Sequence, residues 1–319
     1  MPTQRSLTLD RFRGLAIILM LIVNDLDTVR DIPEIIKHAP DTGFHVADVV
    51  APLFIFAIAF TYRGSFLRRA AVDKAQAYFH FVSRYLAILG LGTVFSAISN
   101  VAGEPSDWGA LQSIGVAGLL TLLVVKLPVW ARAAIAFVVL TAYQLLNGDP
   151  TRAGIIGEMV FGSDHGGFLG AVSWAAMLIL CTVVAELFAK GMKYFLPAIA
   201  ALAVLATASA FLVPVSKNRV SASYVLVSVA ACCVVYLLVD LFTKKLPGVK
   251  KGLAAWWGEN PMLCYILHLV LQGITRFPFL LMDIEERALL IGLLDTAFIF
   301  AVISLIAWQL DKRNKRISL

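Results

Sequence analysis

Residues 168–189 read FLGAVSWAAMLILCTVVAELFA, an apolar stretch whose one formal charge is Glu186. Wound as an α-helix at roughly 1.5 Å per residue it rises about 33 Å, enough to cross the ~30 Å hydrocarbon core of a bilayer. Stretches of this kind recur from one end of the chain to the other. The expected spans are 12–29, 46–63, 83–101, 109–126, 131–147, 168–189, 194–213, 222–243, 260–278 and 288–310. Composition agrees: of 319 residues 60% are hydrophobic and 15% charged, with a mean hydropathy of +0.83. A water-soluble fold has no interior able to hide so much apolar side chain. The expected fold class is all-α, a polytopic membrane helical bundle of about ten transmembrane helices. A nucleic-acid binder, a secreted disulfide scaffold and a coiled coil are excluded.

The basic residues orient the bundle. Twenty of the 27 Lys and Arg residues fall on one set of alternate segments, from Arg5, Arg11 and Arg13 at the start, through Arg63, Arg68, Arg69, Lys74 and Arg84, to Lys250, Lys251 and Lys312, Arg313, Lys315, Arg316 at the end. The opposite loops hold the remaining seven, among them Arg152, together with acidic residues that include Glu104, Asp107, Asp149, Glu158, Asp283 and Glu285. By the positive-inside rule both termini are expected in the cytoplasm, and the net charge of +6 reports topology, not an anionic partner. The first apolar run lacks a small-residue cleavage site and reads as a retained helix, not a removable signal peptide. Cys181, Cys232, Cys233 and Cys264 lie in apolar segments without metal-ligand spacing and read as small core residues. No linker or tandem repeat divides residues 1–319, so a single domain is expected. The fourth and fifth spans are separated only by Lys126-Leu127-Pro128-Val129-Trp130, and a re-entrant pair there would leave the termini on the same side.

Polar groups within or beside a span cost about 2.5–3.5 kcal/mol on insertion scales, so each calls for a partner or a function. Several gather at the outer end of the first hairpin: Asn24 and Asp25, then Lys37-His38-Ala39-Pro40-Asp41, then His45 and Asp48. An imidazole can take a proton from an attacking amine or hydroxyl, or accept an acyl group itself, and a neighbouring carboxylate would fix its tautomer. His38 with Asp48 can form such a pair, and Asn24 can donate an amide hydrogen to a developing oxyanion. Each has an ordinary structural alternative: a solvated loop histidine, an aspartate at a helix N-terminus, an asparagine at a helix end.

A second polar group is Trp256-Trp257-Gly258-Glu259-Asn260-Pro261 leading to Tyr265 and His268. Here Asn260-Pro261 reads as a helix start, the tryptophans as an interfacial belt, and Tyr265 and His268 as a shared polar lining on one helical face. On the basic side, Asp10 reads as an N-cap, with Arg13 and Gly14 suited to a phosphate at a helix N-terminus. Snorkelling or plain topology accounts equally well for Arg13 and Arg84. Nucleotide-loop, zinc-protease and paired-cysteine signatures are absent.

The residues together resemble the heparan-alpha-glucosaminide N-acetyltransferase family of membrane acyltransferases. The resemblance runs through Arg5-Ser6-Leu7, Asp10-Arg11-Phe12-Arg13-Gly14-Leu15, Leu19-Met20-Leu21-Ile22-Val23-Asn24, His38-Ala39-Pro40 and Ala47-Asp48-Val49-Val50-Ala51-Pro52-Leu53-Phe54. It continues in order through Leu111-Gln112-Ser113-Ile114-Gly115, Gly167-Phe168-Leu169-Gly170, Pro214-Val215-Ser216-Lys217-Asn218, Ser223-Tyr224-Val225-Leu226, and Gly258-Glu259-Asn260-Pro261 with Tyr265 and His268. It implies an acetyl group taken from cytosolic acetyl-CoA and passed to an amino or hydroxyl group of an extracytoplasmic sugar or glycan, without a metal and without nucleic acid. The family's histidine maps onto His38, with Asp48 and Asn24 beside it. Family members use that histidine either as acyl carrier or as base. Donor contacts would fall to Arg13, Arg84, Gln112, Asn260 and His268, acceptor contacts to Lys217, Asn218 and His165. A homodimer in the lipid bilayer is a further implication.

Three departures stand out. The loop between Asn24 and His38 is longer than in the animal lysosomal enzyme, Ser113 replaces a common Arg, and the large luminal domain is missing. A compact bacterial inner-membrane member acting on an acceptor other than heparan sulfate is therefore expected. The rival reading is a secondary transporter of a small polar or sugar-like solute, although the matched halves of many transporters are not evident here. A scaffold without chemistry would leave His38 and Asp48 dispensable.

Overall fold

The computed structural model describes residues 6–101, 108–147, 164–245, 251–282, 284 and 286–317. Arg5, Glu104, Asp107, Asp149, Arg152, Glu158, Lys250, Asp283 and Glu285 lie outside the described residues. The elements are helical throughout: α1 (Leu7–Leu26), α2 (Val50–Ala70), α3 (Lys74–Val101), α4 (Ala110–Thr121), α5 (Val129–Asn147), α6 (Gly167–Lys190), α7 (Met192–Leu212), α8 (Ala222–Lys245), α9 (Gly252–Glu259), α10 (Pro261–Leu281) and α11 (Leu289–Lys312). Short 3-10 turns occupy Glu34–Ile36, Val46–Val49 and Asp164–Gly166.

Each of the ten expected spans falls on one helix. Among the described residues, eight helices (α2, α3, α5 to α8, α10 and α11) are long and apolar enough to cross a membrane. The other two depart for physical reasons. Helix α1 has 20 residues but carries Asp10, Arg11, Arg13 and Asp25, and α4 has only 12, about 18 Å of rise. Helix α9, just before α10, is an element the apolar pattern did not reveal. The protein is an all-α polytopic membrane protein.

The helices belong to two compact units, neither of them a continuous stretch of chain. The first comprises Met1–Ala39, His45–Phe54 and Val234–Leu319, the second Pro40–Phe44 and Ile55–Cys233. Helices α2 and α8 run from one unit into the other without a break.

In the first unit α1 packs on α9, α10 and α11. Its helix begins a turn earlier than the apolar pattern suggests, with Ser6 Oγ accepting the Leu9 N–H at 3.3 Å; Ser6, not Asp10, is the N-cap. Asp10 and Arg13 therefore sit inside the helix, and the backbone N–H of Arg13 is not an open helix terminus. Gly14 permits a close backbone approach, but to another helix and not to a phosphate. A Cβ there would stand 1.7 Å from the Ala254 carbonyl oxygen, and one on Gly258 would stand 1.7 Å from that of Asp10. Ile17, Met20, Leu21 and Val23 of α1 form one hydrophobic core with Ala47, Val50, Trp257, Cys264, Ile299, Ile303 and Ala307. Trp257 is fully buried and donates its indole N–H to Ser304 Oγ at 3.2 Å, so it is a core residue and not part of an interfacial belt.

Beside this core Lys251 bridges Glu259 (2.9 Å) and Asp311 (2.8 Å). The hydrogen bond to Asp311, then that to Glu259, hold the Lys251 ammonium above the ordinary lysine range.

In the second unit α6 packs against α4, α5 and α7, and α3 packs on α4. Tyr62 donates its hydroxyl to the Gly118 carbonyl, and the Tyr85 ring lies where a Cβ on Gly118 would be. Glu186, the one charge in the opening stretch, gathers three cations: fully buried Arg132, Arg63 (3.3 Å) and Lys190 (3.1 Å). Arg132 also donates to Leu127 O at 3.1 Å and Thr182 Oγ1 at 2.7 Å, which ties the α4–α5 turn to α6. The four cysteines are buried free thiols.

Candidate active site

The loop from Lys37 to Val49 folds back on itself because Asp48 stands at its far end as a buried acceptor. The Asp48 side chain has no exposed surface. Its Oδ2 accepts the backbone N–H groups of His45 (2.9 Å) and Ala39 (3.3 Å), and its Oδ1 lies 2.8 Å from His38 Nδ1. The expected role of Asp48 at a helix start and its expected pairing with His38 are thus one arrangement, since the carboxylate caps the Val46–Val49 turn through one oxygen and holds the ring through the other.

An ionised carboxylate only accepts hydrogen bonds, so the neutral His38 ring must carry its proton on Nδ1. The lone pair is then on Nε2, directed away from Asp48. The His38 side chain is 35% exposed, so this nitrogen belongs to the accessible part of an otherwise pinned ring. His45 is occupied separately, with its Nδ1 3.1 Å from Lys37 O.

Asn24 lies in the last turn of α1, in the same unit. Leu21 and Val23 beside it share one core with Ala47 and Val50, which flank Asp48. The backbone oxygen of Asn24 accepts from Arg276, and its side-chain amide has no hydrogen-bond partner among the described residues. A half-buried, unengaged amide donor on the core that also carries the histidine–aspartate pair is suited to a developing oxyanion.

The remaining sequence candidates separate. Arg13 stands 3.9 Å from Asp10 with 23% of its side chain exposed, in the first unit, whereas Arg84 is exposed on α3 in the second. Gln112 is occupied within its own unit: its Nε2 donates to Ser96 Oγ at 2.8 Å, and its Oε1 accepts from Gly109 N at 3.1 Å, closing the first turn of α4. Asn260 Oδ1 accepts from Ile317 N at 2.8 Å, which pins the chain after α11 to the α9–α10 joint. His268 is fully buried, and its Nε2 lies 3.3 Å from Asp25 Oδ1.

The acceptor candidates lie in the second unit. Asn218 donates to the Pro40 carbonyl at 2.8 Å, and Arg219, which neighbours Asn218, pairs with Asp41. Lys217 is half-buried in the same turn. His165 adopts a left-handed backbone (φ 56°), and its carbonyl accepts the Trp174 indole N–H at 3.2 Å.

Sequence reading placed Asp25 in the polar group of the first hairpin but did not join it to His268, and it passed over Gln272, whose amide Nε2 donates to Asp25 Oδ1 at 2.9 Å. The usable signal was the i, i+4 spacing of His268 and Gln272, which puts both on one face of α10.

An all-α membrane protein with a carboxylate-oriented histidine and an unengaged amide donor in the same unit has the parts of an acyl-transfer catalyst. The family model described as heparan-alpha-glucosaminide N-acetyltransferase, catalytic, matches residues 5–193. The chain belongs to that family and is a membrane acetyltransferase. The matched region holds Arg13, Asn24, His38, Asp48, Arg84, Gln112 and His165 and ends before Lys217, Asn218, Asn260 and His268. No curated protein matches the chain.

Proposed function

We propose that this acetyltransferase takes its acetyl group from cytosolic acetyl-CoA and delivers it to an amino or hydroxyl group of an extracytoplasmic sugar or glycan, with His38 Nε2 as the reacting nitrogen. The observation that carries the reading is the 2.8 Å contact between His38 Nδ1 and buried Asp48, which leaves Nε2 as the basic atom. As base, Nε2 removes the proton of the attacking amine or hydroxyl while its lone pair adds to the thioester carbonyl; as acyl carrier, Nε2 adds to that carbon itself. Asp48 stabilises the charged ring in both roles. The Asn24 amide donates to the oxygen that becomes negative as carbon turns tetrahedral, and collapse expels the CoA thiolate.

In this reading the basic segments face the cytoplasm of a bacterial inner membrane, CoA enters near Arg13, and the two units act together as one catalytic domain. Lys217, Asn218 and His165 contact the acceptor. His38→Ala is the test. Acetyl transfer from acetyl-CoA to an amino sugar such as glucosamine should fall by about 10²–10⁴ or more, while CoA binding by calorimetry stays at the wild-type value. Near wild-type transfer in His38→Ala would sink the assignment.

A further inference from the structure

The first unit contains a second histidine–carboxylate pair, deeper than the first and joined by no short loop. Asp25 near the end of α1 is 1% exposed, and His268 on α10 has no exposed surface. Asp25 Oδ1 accepts the Gln272 amide N–H at 2.9 Å and lies 3.3 Å from His268 Nε2. Two guanidinium groups stand beside it: Arg276 donates to Asn24 O, while Arg287 donates to the backbone oxygen of Asp25 itself, to Thr28 Oγ1 and, at 2.8 Å, to Asp295. Of the pair itself, His268 Nδ1 and Asp25 Oδ2 have no hydrogen-bond partner among the described residues, and beside them neither has Arg287 Nε. Burying unsatisfied polar groups is costly, and such groups persist where a ligand or a reaction uses them.

Resting on the proposed acetyl-CoA reaction, we propose that His268 is the general acid that protonates the departing CoA thiolate. Asp25 lies twelve residues beyond Arg13 on α1, about 18 Å along the axis, a distance that an extended pantetheine arm bridges. A CoA held near Arg13 thus brings its sulfur to the level of Asn24, Asp25 and His268. As acyl carrier, His38 attacks the thioester without having taken a proton, so it has none to give the departing sulfur. A second imidazole beside a carboxylate supplies the acid.

The step balances. The C–S bond breaks with its electron pair going to sulfur, and the thiolate takes the proton from His268 Nδ1. The N–H bonding pair stays on the ring as the Nδ1 lone pair, and Nε2–H remains on Asp25 Oδ1. Between turnovers the ring regains a proton from water, and His38 returns to water the proton it removed from the acceptor.

The experiment is calorimetric titration of the full-length purified protein with CoA and with desulfo-CoA, which lacks the thiol, in wild type, His38→Ala, His268→Gln and Asp25→Asn, with acetyl transfer followed in parallel. In wild type, CoA should bind about tenfold or more tighter than desulfo-CoA, the weight of a charge-assisted hydrogen bond. His38→Ala should keep that preference. His268→Gln, which offers an amide but cannot deliver a proton, should lose it and slow transfer about 10²–10⁴-fold; Asp25→Asn, which removes the carboxylate that holds His268 Nε2, should lose it too. Equal binding of the two ligands by wild type, a preference surviving in both His268→Gln and Asp25→Asn, or wild-type transfer in His268→Gln overturns the assignment of His268. Failure of wild type to bind either ligand overturns instead the acetyl-CoA reading on which it rests.

Discussion

Asp48→Asn tests the orientation of His38 more sharply than removal of the ring, because it changes one hydrogen-bond donor without changing shape. In the native loop Oδ2 receives two backbone N–H groups, from His45 at 2.9 Å and Ala39 at 3.3 Å, and Oδ1 faces the ring. An asparagine has only one oxygen to offer. Turned towards the ring, it places its NH₂ against two buried backbone donors, each left unsatisfied at about 1–3 kcal/mol. Turned towards the backbone, it satisfies both and points NH₂ at His38 Nδ1, so the second arrangement wins by roughly the value of two such groups.

The ring must then offer a lone pair at Nδ1 and carry its proton on Nε2, the reverse of the catalytic tautomer. Restoring that tautomer means leaving two such groups unsatisfied, about 2–6 kcal/mol, a rate loss of roughly 30- to 20,000-fold at 1.4 kcal/mol per tenfold. Asp48→Ala removes the clash along with the acceptor. It should unfold more readily, with two buried N–H groups orphaned, yet each folded molecule should transfer acetyl faster than Asp48→Asn. Steady-state thiol release from acetyl-CoA with glucosamine as acceptor, normalised to CoA-binding-competent protein, measures the first effect. ¹⁵N spectra of histidine-labelled protein report the tautomer directly. A wild-type rate in Asp48→Asn, or an unchanged Nδ1–H tautomer, would refute the reasoning.

Gly258→Ala puts a methyl group 1.7 Å from the Asp10 carbonyl oxygen, about half an ordinary contact distance and against backbone that cannot rotate away; denaturation in detergent should show a loss at or above the usual ~1–3 kcal/mol of overpacking, and a change within about 0.5 kcal/mol would contradict the α1–α9 contact. In the second unit Glu186→Gln should cost about 3–5 kcal/mol by stranding buried Arg132, whereas Arg132→Met should cost less, because Arg63 and Lys190 still neutralise Glu186; the opposite order would reject this account. Lys251 is held above the ordinary lysine range, so its contribution to stability is complete below that range and is lost as pH rises through its folded value; wild type should lose thermal stability there and Lys251→Met should show no corresponding loss. For topology, cysteine at exposed Ile35 should react in intact cells with a membrane-impermeant reagent and cysteine at exposed Val72 should not, and the reverse labelling would invert the orientation.

The apolar runs determined the helices by themselves. Hydropathy is a property of each residue against lipid, and a run of about 20 such residues is helical whatever its neighbours, because no other conformation satisfies its backbone within a bilayer. His38 and Asp48 were legible for a related reason: ten residues of loop between two spans keep them near each other, and only the division of labour between Oδ1 and Oδ2 needed coordinates. Which helix faces which was not written in the pattern, since lipid tails are as apolar as a leucine side chain and give hydropathy no preference between lipid and protein. Tertiary structure alone joined Asp25 to His268 across 243 residues and Arg132 to Glu186 across 54. It also turned Gly14 from a supposed phosphate contact into a helix crossing and took Trp257 from the interface into the core. In each case the decisive quantity is the close approach of two particular surfaces, which depends on the shape of side chains far apart in the chain and leaves no local period to read.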